Sequence, residues 1–155
     1  MLDYYVSTWK NSFRLSGRSR RKEYWTFALF NFLIGVVFGI GQAFSGTNMI
    51  VAGISLCFQI AVLFPNFSLS VRRLHDIDLS GWWLLTPMVI VALGFVGFFW
   101  GVAANQGSEP PLWAIIMMTV AVAYSIGFAL YMGFKGSVPA NKWGHNPKES
   151  IADKA

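Results

Sequence analysis

The sequence predicts an all-α integral membrane protein with four transmembrane helices, a short N-terminal amphipathic interfacial helix and both termini in the cytoplasm. Three observations predict it. Four long apolar runs lie between residues 24 and 133. Only 12% of the 155 residues are charged against 55% hydrophobic and 17% aromatic, where a soluble domain carries about 25% charged residues. All twelve Lys and Arg residues fall on one side once the runs are threaded through a bilayer. A water-soluble core of this size could not bury so much apolar surface, whereas a bilayer lets apolar side chains face outward. The chain reads as one membrane domain, 1–155, with no soluble domain and no internal repeat.

Residues 1–13 are the interfacial helix. Leu2, Tyr5, Val6, Trp9 and Phe13 share a face at helical spacing. Trp and Tyr there suit the headgroup region, and the same face equally suits packing against the ends of the spanning helices. The segment Arg14–Glu23 follows, with five positive charges in ten residues. The first span, about 24–44, exceeds the roughly 7–15 apolar residues of a cleaved signal sequence and precedes three more spans, so it is expected to be retained. A tight loop, Ser45-Gly46-Thr47-Asn48, leads to the second span, about 49–70. A polar loop, Val71 to Gly81, leads to the third, about 82–104. In that loop Ser80 is placed to cap the third span, and Trp82 and Trp83 mark the interface. A proline-containing loop leads to the fourth span, about 112–133, and a polar tail, 134–155, closes the chain. Each run reaches the roughly 20 residues a span requires.

Orientation follows from the cations. Six precede the first span (Lys10, Arg14, Arg18, Arg20, Arg21, Lys22), Arg72 and Arg73 lie between spans two and three, and Lys135, Lys142, Lys148 and Lys154 occupy the tail. The other two loops hold none. Lys and Arg resist translocation, so the basic side is expected in the cytoplasm.

Within the membrane, Ser55, Gln59, Asn66 and Ser70 of the second span lie, with Arg73, in an arc of about 60°. Polar groups in hydrocarbon need partners, so this stripe is expected to point into the bundle, as an interhelical hydrogen-bonding face or as a polar path. Pro65 is expected to kink the helix. Gly35 and Gly39, and Gly97 and Gly101, give two small-xxx-small spacings, read as close helix packing within the chain. Cys57 is the sole cysteine, so no intrachain disulfide is available.

The cytoplasmic face is the strongest candidate for function. Arg18, Arg20, Arg21, Glu23, Arg72, Arg73, His75 and Asp76 crowd the membrane boundary there. Their mixture of charges suits an internal ion-pair network, and their basic excess suits an anionic lipid or another phosphate group. No HExxH, CxxC, G-x-S-x-G or P-loop pattern is present, so no metal, cofactor or enzymatic constellation is implied. A lipid-headgroup enzyme using His75 and Asp76 would lack a nucleophile. The juxtamembrane position of the basic run accounts for it without nucleic acid.

Three segments together are recognisable: Gly17-Arg18-Ser19-Arg20-Arg21-Lys22-Glu23-Tyr24-Trp25, then Arg72-Arg73-Leu74-His75-Asp76 through Ser80-Gly81-Trp82-Trp83, then Gly136 through Asn141-Lys142-Trp143-Gly144-His145-Asn146-Pro147. Their order and spacing resemble the bacterial inner-membrane family called domain of unknown function 805, over nearly the whole chain. The tail departs from the pattern, with Trp143 where tyrosine is usual, His145 where proline is usual, and a longer spacing from Gly136 to Asn141. The resemblance implies a small multi-pass protein of the bacterial cytoplasmic membrane and supplies no activity. It also implies that the three blocks meet at one face, with Glu23 and Asp76 paired to arginines and Asn141 and Trp143 folded over them. The expected function is therefore a non-enzymatic inner-membrane component whose cytoplasmic Arg/His/Asp cluster binds anionic phospholipid, a protein partner or a second copy of the chain. The alternative is a small oligomeric transporter or channel using the polar face of the second span.

Overall fold

The computed structural model describes residues 1–45, 48–105, 109–134 and 141–144. Among them the ordered elements are helices: α1 (Leu2–Lys10), α2 (Arg21–Ser45), α3 (Met49–Asp76), a 3₁₀ turn at Gly81–Leu84, α4 (Leu85–Ala104) and α5 (Leu112–Phe134). Four segments, Arg21–Phe44, Met49–Asp76, Gly81–Ala104 and Leu112–Phe134, are long and apolar enough to cross a membrane. The chain divides into two compact units, Met1–Gly81 with the tail and Trp82–Lys135.

In the first unit α2 and α3 form an antiparallel hairpin. At one end Gln42 Nε2 donates to Ser55 Oγ at 3.0 Å; at the other, Arg72 meets Glu23. Asn48 starts α3 as an N-cap, its Oδ1 accepting the amides of Ile50 and Val51. α1 packs on the hairpin through part of its aromatic face. Tyr5 stacks on Phe27 with ring centroids 5.3 Å apart, and Trp9 meets Phe27 edge-on. Leu2, Val6 and Phe13 of the same stripe stay exposed. The helix stops at Lys10, short of the expected residue 13, where Asn11 is its C-cap and folds its side-chain amide back onto the carbonyl of Ser7.

The segment expected as a loop from Val71 is helical as far as Asp76. It contains no Gly or Pro until Gly81, and Arg73 and Asp76 pair across one turn. The helix runs through Pro65 and ends in a Schellman motif. Asp78 adopts φ 63°, its amide donates to the His75 carbonyl at 3.2 Å, and the Leu79 amide donates to Leu74 at 2.9 Å. A left-handed conformation is costly for a residue with a Cβ. Asp78→Gly is therefore expected to stabilise the fold by about 1 kcal/mol, read as a raised midpoint of thermal unfolding in mild detergent; a lowered midpoint would mean the exposed carboxylate has a role that outweighs the strain.

Ser80 does not cap α4. The third span opens instead with the 3₁₀ turn, and the N-cap of α4 is Leu84, which offers no side-chain bond. In this second unit α4 and α5 are antiparallel and approach closely along the glycines. A Cβ on Gly94 would lie 2.9 Å from that of Ala121, and one on Gly101 would lie 2.9 Å from that of Ala114. Gly97 faces Met117. The glycines of α2 behave differently: a Cβ on Gly35 or Gly39 would meet nothing within 4 Å. Close packing in the sense expected thus holds for Gly97 and Gly101, joined by Gly94, but Gly35 and Gly39 make no such contact.

Candidate functional site

The C-terminal end of α3 is enclosed on every side. Each residue from Ser68 to Ile77 is buried, including Arg72, Arg73, His75 and Asp76. Such a helix end can tolerate charges only if they are paired and hydrogen-bonded. The enclosing material is the segment between α1 and α2. Ser68 Oγ lies 2.6 Å from the Arg14 carbonyl and 2.9 Å from that of Asn11, and can donate to either. The Ser19 amide donates to the Arg72 carbonyl at 3.2 Å. Gly17 makes the turn between them at φ 90°, a conformation that favours glycine.

Asp76 is the hub. Arg73, one turn earlier, pairs with its Oδ2. Arg18 arrives from the preceding segment and places Nε at 3.0 Å and Nη2 at 2.9 Å from Oδ1. Arg18 Nη2 also donates to the Asp76 carbonyl, and Nη1 donates to the Gly144 carbonyl at 3.1 Å. The side chains of Arg18, Arg73 and Asp76 are 2%, 0% and 0% exposed, so two guanidiniums share one carboxylate out of water. Beside them Arg72 Nη1 lies 3.5 Å from Glu23 Oε1; Thr8 Oγ1 lies 3.4 Å from the same oxygen and 2.9 Å from the Tyr4 carbonyl, and can donate to either.

His75 leaves the helix in another direction. Its Nδ1 is 3.3 Å from the Gly17 carbonyl; a carbonyl only accepts, so Nδ1 carries the proton. The imidazole stacks on the Trp143 indole, centroids 3.6 Å apart and planes within 6°. Asn141 Nδ2 donates to the His75 carbonyl at 2.8 Å, and its Oδ1 accepts the Trp143 amide. The Asn141–Gly144 bridge closes this tail turn.

The structure therefore brings together Arg18, Glu23, Arg72, Arg73, His75, Asp76 and Asn141. It does not bring Arg20 or Arg21 into an ion pair among the described residues. Of the expected intramembrane stripe, Ser55 and Ser70 are buried, whereas Gln59 and Asn66 are exposed. Ser55 meets Gln42 of α2 and Gln59 lines a groove between α2 and α3, while from Ser68 to Ile77 every face of α3 is buried. His145, Lys135, Lys148 and Lys154 lie outside the described residues. Sequence reasoning missed Thr8, Ser19 and Ser68, all buried and bonded to the cluster or the segment around it. The available signal was the spacing of Ser68, Arg72 and Asp76, four residues apart on one helical face.

Among the described residues no group of three His, Cys, Asp or Glu side chains could hold a metal ion. Comparison with known proteins matches residues 12–145 to a family described as "Protein of unknown function (DUF805)". The chain belongs to this family. It is 39% identical over 84 residues to the inner membrane protein YhaI of Escherichia coli K12, covering 54% of this chain and 70% of YhaI. It is 35% identical over 114 residues to the inner membrane protein YhaH of the same strain, covering 71% of this chain and 89% of YhaH. No solved structure matches. Described residues of the three sequence blocks that carry the family resemblance thus meet around the end of α3: Arg18 and Glu23, Arg72 to Asp76, and Asn141, Trp143 and Gly144.

Proposed function

We propose that this family member is a non-enzymatic inner-membrane component, with both termini in the cytoplasm, that binds anionic phospholipid at its basic face. The observation that carries the reading is the division of labour among the arginines. Arg18, Arg72 and Arg73 are internal and paired with Asp76 and Glu23. Arg14, Arg20, Arg21 and Lys22 make no ion pair among the described residues, and they flank the first turn of a membrane-length helix. Each such cation near an anionic leaflet contributes about 1 kcal/mol of attraction. Leu2, Val6 and Phe13, left exposed on and just beyond α1, give the same face an apolar surface suited to the headgroup boundary. The occupied state of Asp76, held by two guanidiniums, favours binding over general acid–base chemistry.

A second reading, a solute path, rests on a groove of about 430 Å³ between α2 and α3 that is lined by Asn31, Gln42 and Gln59 among apolar residues. One preparation tests both. In proteoliposomes and mixed micelles, the purified chain is expected to bind phosphatidylglycerol in preference to phosphatidylcholine, with the preference shrinking as salt rises, and to pass no tested solute. Equal binding of the two lipids at low salt would end the lipid reading; solute flux lost in Gln59→Leu would establish the path instead.

A further inference from the structure

A groove of about 400 Å³ opens between the start of α1 and the first turn of α2, lined by Met1, Tyr4, Arg21, Lys22, Trp25 and Thr26. Its volume is in the range of small-ligand sites. Its walls are mainly apolar, with the two cations adjacent in sequence. Arg21 Nε is shielded from solvent and has no hydrogen-bond partner among the described residues, a state it shares with Nε and Nη2 of Arg72 and a costly one for a charged donor group.

The electrostatics of the first turn of α2 sharpen this. A helix start carries partial positive charge and unbonded amides, so cations there are unfavourable and an acceptor is wanted. Arg21 and Lys22 are its first two residues. Arg20 precedes them and has no acceptor atom to serve as a cap. Ser19 directs its hydroxyl to the Leu69 carbonyl. Glu23, the acid of that turn, is paired with Arg72. Three consecutive cations therefore stand at the positive end of the helix, and two of them, Arg21 and Lys22, line the groove.

Depth identifies the ligand. The 25 residues of α2 span about 37 Å against a hydrocarbon thickness of about 30 Å. About a turn of helix is left for the headgroup layer, and the charged end is the one that belongs there, with Trp25 at the boundary. We infer that this groove seats the phosphodiester headgroup of an anionic membrane phospholipid, with Arg21 and Lys22 on the phosphate and the acyl side against Trp25 and Tyr4. The inference rests on the lipid-binding reading above and assigns it a place.

The test is a lipid titration of the whole chain in mild detergent, read by native mass spectrometry with phosphatidylglycerol. Arg21→Gln with Lys22→Gln is expected to weaken binding about 30-fold, and either alone about fivefold. Arg21→Lys, which keeps the charge, is expected to stay within about twofold. Lys10→Gln with Arg14→Gln removes the same charge from the neighbouring surface and is expected to cost less than about fivefold. Inorganic phosphate at equal concentration is expected not to displace the lipid. Equal losses in the two double variants would reduce the effect to diffuse charge and overturn the groove. Displacement by inorganic phosphate would overturn the lipid assignment. Absence of any phosphatidylglycerol preference in the unaltered chain is the separate result that removes the parent reading.

Discussion

Asp76→Ala is expected to destabilise the first unit by about 3–5 kcal/mol. The carboxylate is wholly buried and is the shared acceptor of Arg18 and Arg73. Removing it leaves two guanidiniums out of water without their counter-charge, and the desolvation cost of each is then uncompensated. The loss should appear as a lower midpoint in reversible unfolding by sodium dodecyl sulfate in mixed micelles. Because the pairing is shared, the double variant Arg18→Ala with Asp76→Ala should lose less than the sum of the singles, with a coupling of about 1–3 kcal/mol. An unchanged midpoint for Asp76→Ala would show that the hub contributes no stability, and the account of α3's enclosed end would have to be abandoned.

Gly94→Leu and Gly101→Leu are expected to force α4 and α5 apart. Even a Cβ at either glycine falls 2.9 Å from an alanine Cβ on α5, and at Gly101 it also falls 3.0 Å from the Pro111 ring. No rotamer of leucine relieves a clash made by its Cβ, so the helices must separate and forfeit their packing, at a cost of about 3 kcal/mol or more for each variant. In a bilayer that packing is the main force holding two apolar helices together. A cysteine pair placed across the interface should lose its cross-linking yield in the Leu variants. Gly35→Ala and Gly39→Ala are the controls: with nothing within 4 Å of the added methyl, each should be neutral or stabilising by up to about 1 kcal/mol from helix propensity. Cross-linking that survives Gly101→Leu unchanged would refute the close approach.

The four spans were legible because each rests on composition over some 20 residues, a signal that survives local error. The boundaries were not. α2 begins at Arg21 rather than residue 24, because charged residues are good helix formers and a hydropathy window cannot see them. α3 continues to Asp76 for the same reason, and what stops it is the left-handed Asp78, which no composition rule marks. The two glycine spacings looked alike in the sequence, yet α4's presses against α5 and α2's faces open space, since only the partner helix decides which.

For the cluster, the sequence by itself determined which charges exist and set the expectation that they share one side of the membrane, because cations resist crossing a bilayer. It also determined that a buried Arg or Asp there would need a partner. Only the tertiary structure decided the pairing. Asp76 takes Arg18 from 58 residues away as well as Arg73 from its own helix, Arg20 and Arg21 stay outside, and Trp143 covers His75 rather than an arginine. Such choices depend on distances and desolvation at each atom, and these are set when the Gly17 turn, the end of α3 and the tail come into contact.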